Sequence, residues 1–263
     1  MFLKILISTL AGVGAGLGTG FAGMSAAAAI SPILIVFLGL EPFDAIAIAL
    51  ASDVLASAVS AFTYGKQKNI NFKDGWLLMI MVMLFTIFGT WIASLVPSKT
   101  MGTFSNAMTL LLGIKFIVKP VMNTKESMYN VSKKRKILGS IIGGMIIGFI
   151  CGFVGAGGGM MMLLILVTFL GYELKTAVGT SVFIMTFTAL VGSVSHVAIS
   201  SQIPDLTILI TCVISTFIFA RIAAVIANKA SARTLNIATG IVLVTISVAV
   251  IIMTIVQKFV LNV

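Results

Sequence analysis

One kind of interruption occurs twice in this chain and limits what it can become. Residues Gly148–Met160, GFICGFVGAGGGM, crowd glycines into the end of one apolar segment and the start of the next. Glycine in a helix interior costs about 1 kcal/mol against alanine, so a run this dense marks backbone that is exposed or closely approached. The same feature stands earlier at Gly16–Met24, GLGTGFAGM. Laid without a gap, residues 12–45 over 144–177 pair Gly12 with Gly144, Gly16 with Gly148, Gly20 with Gly152 and Gly23 with Gly155. The register holds through Phe37-Leu38-Gly39 against Phe169-Leu170-Gly171 and Glu41 against Glu173. Shared apolar composition does not align glycines and a glutamate at one shift, so the chain reads as an internal duplication.

A chain of 263 residues that is 59% hydrophobic and 9% charged belongs in lipid. With no water to satisfy the backbone, such a chain is all-helical, and its segments are too long and evenly apolar for barrel strands. The net charge of +10 does not point to nucleic acid, because the basic residues sit in short gaps between apolar segments. Cys151 and Cys212 lie inside apolar segments, which implies neither a disulfide framework nor a zinc site.

The pattern predicts five segments in each half. Those of the first half fall near 2–22, 25–40, 44–64, 74–96 and 102–118, and those of the second near 137–156, 160–170, 175–199, 205–227 and 233–257. A first repeat over 1–118 is thus joined to a second over 137–263 by a polar linker, 119–136, ending in Lys133-Lys134-Arg135-Lys136. The first segment has the look of a signal peptide, but its recurrence in mid-chain places it in the mature fold. The run at 25–40 reaches roughly 24 Å, short of the roughly 30 Å hydrocarbon core, and its counterpart at 160–170 is shorter still. Full spans and re-entrant hairpins both fit these short segments.

When successive gaps are assigned to alternate sides, all of the 17 Lys and Arg fall on one side except Lys4, Lys99 and Lys258. That bias predicts both termini outside the cytoplasm. An odd number of segments per half makes the repeats opposite in orientation, the arrangement of carriers that work by alternating access.

A short helix that begins at a break inside the membrane offers backbone N–H groups and a positive dipole end, which suit an anion. The candidate substrate-binding residues are therefore Gly20, Gly23 and Ser25 in the first half, and Gly155, Gly157, Gly158 and Gly159 in the second. Gly12, Gly16 and Gly20, spaced by four, also suit close helix packing. Asp53 lies roughly 13 Å into its segment, where an acid is costly. It is a candidate for coupling to H+ or Na+, or else a neutral carboxyl bonded to Ser52 or Ser57. His196 reads as a hydrogen-bonded interfacial histidine before a proton relay, and Glu41 and Glu173 as helix-capping residues before gating ones. Consecutive Met160-Met161-Met162 point around a helix in different directions and make no soft-metal site. No cofactor, metal or enzymatic nucleophile–base pair is expected.

With GLGTGFAGM in one half, GFVGAGGGM in the other, FLG followed by Glu, and AVGTS at 177–181, the chain resembles the sulfite exporter TauE/SafE family over nearly its whole length. The first half departs from the pattern, with Ser25-Ala26-Ala27 for the triple glycine and Ala47-Ile48-Ala49 for Gly-Thr-Ser. The resemblance implies a carrier of small, often sulfur-containing anions such as sulfite or organosulfonates in the bacterial inner membrane. It also implies site-lining hydroxyls at Thr180 and Ser181. An uptake carrier, a channel, a non-transporting subunit of a complex and a homo-oligomer all remain open.

Overall fold

In this computed structural model the described residues are 1–96, 107, 110–111, 113–115, 117–120, 131–155, 158–200 and 204–260. They form α1 (Phe2–Ala22), α2 (Ala27–Leu38), α3 (Pro42–Lys66), α4 (Phe72–Ser94), α5 (Lys133–Val154), α6 (Gly158–Thr168), α7 (Leu174–Ser200), α8 (Leu206–Lys229) and α9 (Ala232–Val260). The segment expected at 102–118 and the linker 119–136 lie largely outside the described residues, as does Gly157. Among those described, six helices (α1, α3, α4, α5, α7 and α8) are long and apolar enough to cross a membrane.

Two expectations about helix starts change. Ser132 caps α5, accepting the Arg135 N–H at 3.4 Å, so Lys133–Lys136 form its first turn instead of the end of a loop. Glu41 holds the N-cap position of α3 but makes no side-chain capping bond. Pro42 at the first helical position, with φ already set and no N–H to satisfy, starts that helix.

The duplication reappears in the backbone. Gly23 and Gly155, which end α1 and α5, have φ of +62° and +67°, and Gly39 and Gly171, after α2 and α6, have +64° and +69°. These are the pairs matched by the overlay. A hydrogen bond repeats at the same shift: Leu40 N–H donates to Leu34 O at 3.4 Å, and Tyr172 N–H to Leu166 O at 2.9 Å.

Glycines then decide which helices approach. Gly12 meets Ser215, Gly16 the backbone of Thr216 and Ala220, and Gly20 that of Ala220 and Ala224. Helices α1 and α8 therefore run in the same direction along a seam with no room for side chains. The second half does likewise: Gly144 meets Leu78 and Met81, Gly148 meets Val82, and Gly152 meets Thr86 and Thr90, laying α5 along α4. A β-carbon on Gly16 would sit 2.6 Å from the Thr216 carbonyl oxygen, and one on Gly152 only 2.7 Å from Thr90 N. Each first helix of a half is thus bound to the fourth helix of the other.

The counterpart helices α3 and α7 pack antiparallel, early Gly179 of α7 against late Tyr64 of α3, and late Gly192 against early Leu50. The short helices fold back as hairpins. Ser25, just before α2, bonds Asp53 in the middle of α3, and α2 ends where α3 begins. Gly143 and Gly139 of α5 likewise meet Ile165 and Phe169 as α6 returns. At 12 and 11 residues these returning helices cover roughly 16–18 Å, about half the hydrocarbon thickness.

Burial is reversed from that of a water-soluble domain. Ile210, Ile214, Ile218 and Ile222 stand exposed along one face of α8, as do Trp76, Leu84 and Trp91 on α4, while Ser8, Ser52, Asp53, Ser57, Thr86, Thr90 and Thr180 are buried. Large apolar side chains facing outward suit lipid, and of these small polar groups all but the Ser8 hydroxyl bond to described residues within the bundle.

Asp205 caps α8, accepting from the Thr207 and Ile208 N–H groups at 2.9 and 3.3 Å and from Lys4 Nζ at 2.8 Å. The Lys4 hydrogen bond, reinforced by the two N–H groups and the lysine charge, holds this carboxyl below its ordinary range. A carboxyl lowered on folding contributes stability above its unfolded pKa and loses it as pH falls through the folded one. Asp205→Ala is therefore expected to cost about 1 kcal/mol at neutral pH, the value of a lost cap. The gap between wild type and variant should close as pH drops below about 4. Melting curves across that range check it, and a gap that persists in acid would contradict it.

Candidate functional site

The two breaks meet. A β-carbon on Gly159, in the first turn of α6, would strike the Gly23 carbonyl oxygen and lie 2.7 Å from Ser25 N. Gly23 itself faces the Ser181 hydroxyl and Val178, and Gly155 faces Ile46, so each left-handed glycine packs on the start of the partner half's long helix. Val178 and Ile46 are counterpart positions in the overlay. A side chain at Gly23 or Gly155 would be strained by its φ and would also collide, which gives glycine two reasons to be there.

Asp53 lies at this junction with no exposed surface. Its Oδ2 accepts from Ser25 Oγ at 2.7 Å and its Oδ1 from Ser57 Oγ at 2.7 Å. Ser25 Oγ also lies 3.4 Å from Gly155 O, so one hydroxyl touches the acid of the first half and the break of the second. Of the two partners expected for Asp53, Ser57 is present, on the same helix, whereas Ser52 donates to Ile48 O. Among the described residues no lysine or arginine pairs with Asp53; the ion pair found there is Lys4–Asp205. A carboxyl held away from water and cations is stable only when protonated or with a cation beside it.

The candidate residues separate into groups. Gly23, Ser25, Gly155, Gly159 and Ser181 come together at the junction, with Asp53 among them. Gly158 lies one step away, its α-carbon facing Cys151, whose Cβ and Sγ would be 3.0 and 3.1 Å from an added methyl. Gly20 lies in the α1/α8 seam. Thr180 turns to the α3–α4 connection, where its hydroxyl accepts the Asn71 N–H at 3.0 Å. At the first break the N–H of Ala27 is taken by Ser25 Oγ, and those of Ala28 and Ala29 by the carbonyls of Ser25 and Ala26. On the other side of the junction α6 opens with Gly158 and Gly159, whose N–H groups have no partner within their own helix.

Two further residues belong to the surroundings. Tyr64, wholly buried, donates its hydroxyl to Gly20 O at 3.1 Å. His196, expected at an interface, is also wholly buried, because the start of α3 and the end of α4 close over it: the tilted ring of Phe43 lies 4.5 Å from its own and Thr90 Oγ1 lies 3.4 Å from Nδ1. Carried past its end, the shift of the overlay pairs these two residues, a signal present in the sequence.

Lipid-facing apolar helices, returning half-helices and a central polar junction define a multi-pass helical membrane protein. The chain belongs to the sulfite exporter TauE/SafE family, whose model matches residues 8–250. It is similar to the probable membrane transporter protein YunE of Bacillus subtilis strain 168, 25% identical over 206 residues, covering 73% of this chain and 75% of the relative. Probable membrane transporter protein YdhB of the same organism is 20% identical over 213 residues, covering 81% and 86%. A probable membrane transporter protein of Haemophilus influenzae is 27% identical over 150 residues, covering 57% of each chain. The protein is a membrane transporter and not an enzyme.

Proposed function

We propose that this transporter carries a small anion, sulfur-containing as the family description suggests, across the bacterial inner membrane by alternating access of two inverted repeats. The observation that carries the reading is the junction itself, where two half-helix hairpins from different halves meet around Asp53. Inversion is supported by α3 and α7. They are counterparts, each long enough to cross a membrane, and they run antiparallel, so an operation that exchanges the halves reverses the membrane normal. The charge bias supports both termini lying outside the cytoplasm. The substrate is met by the N–H groups of Gly158 and Gly159, with Gly155, Ser25 and Ser181 around them, and Asp53 exchanges H+ or Na+ as the carrier turns.

The test is the melting temperature of the purified protein against sulfite, sulfate, thiosulfate, taurine, sulfoacetate and simple carboxylates. A ligand that binds only the folded state at a hundred times its dissociation constant adds about 2.7 kcal/mol. A saturable rise with one sulfur anion is expected. A flat response to the whole panel at millimolar concentration would sink the anion reading.

A further inference from the structure

The two halves close their breaks with different chemistry. In the first, Tyr64 on α3 reaches Gly20 O on α1 in a single hydrogen bond. The shift that pairs Gly23 with Gly155 pairs Tyr64 with His196 and Gly20 with Gly152. In the second half no side chain makes such a direct bond: His196 Nδ1 lies 3.4 Å from Thr90 Oγ1, and that hydroxyl, which donates to Thr86 O at 2.9 Å, lies 3.4 Å from Gly152 O. Nδ1 also lies 2.9 Å from Gly192 O. A carbonyl only accepts, so in the neutral ring Nδ1 carries the proton and Nε2 is bare. Nε2 is buried and, among the described residues, has no hydrogen-bond partner. A latch alone does not need this unsatisfied nitrogen, since the tyrosine of the first half does the same work without one.

We propose that His196 is a proton-binding site of the carrier, separate from Asp53, and that a proton taken at Nε2 opens the closure over the second break. In calling the protein a carrier this rests on the transport reading; the protonation itself does not. Once charged, the ring holds a second N–H with no acceptor, packed against Phe43, and that cation is tolerated only where water or an anion can reach it. Protonation and opening are thereby linked, and falling pH favours the open closure. Few ionisable groups are near to change this sign. On α3, Glu41 and Asp44 flank Phe43; on α4, residues 86–94 carry none; the last turn of α5 has Cys151; on α7, Lys175 lies at the opposite end.

His196 is the chain's only histidine, so ring 15N labelling of the full-length protein in nanodiscs reads this residue alone. Expected at neutral pH is the Nδ1–H tautomer, with Nε2 gaining a proton on acidification. Access to the break is read from buried Cys151 with a water-soluble thiol reagent in a Cys212→Ser background. The ratio of the labelling rate to that of His196→Gln at each pH cancels the thiol's own titration. It should rise as the ring protonates; His196→Tyr, copying Tyr64, gives the comparison if the glutamine variant does not fold. An Nε2–H tautomer, or a ratio constant across the titration, would overturn the proposal. No anion is added, so failure here leaves the substrate reading to its melting test.

Discussion

Asp53→Asn is expected to give a folded protein whose anion flux no longer follows an imposed proton or sodium gradient. Asparagine keeps the shape of the side chain and one acceptor oxygen. Ser25 and Ser57 both donate to the carboxylate, so one hydroxyl must turn to accept from the new amide, and Ser25 has Gly155 O within 3.4 Å to receive its proton instead. The local rearrangement is therefore cheap, on the order of one hydrogen bond, about 1 kcal/mol. What disappears is a group able to lose a proton or face a cation at the junction. Coupling between two ligands of one protein is typically worth roughly 1–3 kcal/mol, so the gradient response should fall roughly 5–150-fold. Flux into vesicles with and without the gradient, using the anion chosen by the melting panel, measures it. A variant that still responds fully would remove Asp53 from the coupling role.

Gly159→Ala should damage the junction through contact alone, since its φ is not left-handed. Its methyl group would fall on the Gly23 carbonyl and press on Ser25 N, both backbone atoms that cannot turn aside. Overpacking of this kind costs roughly 1–3 kcal/mol. Here it also separates the two hairpins, so flux should be lost. Gly39→Ala is the control. Gly39 is left-handed, at φ +64°, but a methyl there meets nothing within 4 Å, leaving only a conformational cost of roughly 1–2 kcal/mol. The two variants should melt at similar temperatures while only Gly159→Ala loses flux. Equal flux in both would mean that contact between the breaks is not needed for transport.

Local pattern reached far into this fold. Segment lengths marked α2 and α6 as short against the hydrocarbon core without deciding between spans and hairpins, and the glycine register paired the positions at which left-handed backbone recurs, though it did not name that conformation. Contacts between distant segments were less legible. Glycines at spacing of four reveal a seam but not its partner, and nothing near Gly16 names Thr216. For Asp53 the sequence offered nearby serines, Ser52 and Ser57, yet Ser25 reaches it only because α2 turns back along α3. His196 read as interfacial because its apolar segment is about to end, whereas burial there depends on Phe43 and Thr90 from other helices. The basic run at 133–136 resembled a loop because charge is excluded from the bilayer, but a helix can continue past the lipid once Ser132 caps it.

The crossed seams govern how the chain can be made. Lys4 waits for Asp205, 201 residues later in the sequence, and Gly12, Gly16 and Gly20 on the glycine face of α1 wait for α8. At ordinary synthesis rates the interval is roughly 10–40 s, during which α1 stands in the insertion machinery or in lipid with its narrow face uncovered. The first half is thus not an independent folding unit that the second later joins. Gly148 of the second half, by contrast, finds α4 already in place when it emerges. Assembly is complete only when α8 arrives, so a chain truncated before α8 leaves that glycine face open for quality control to recognise.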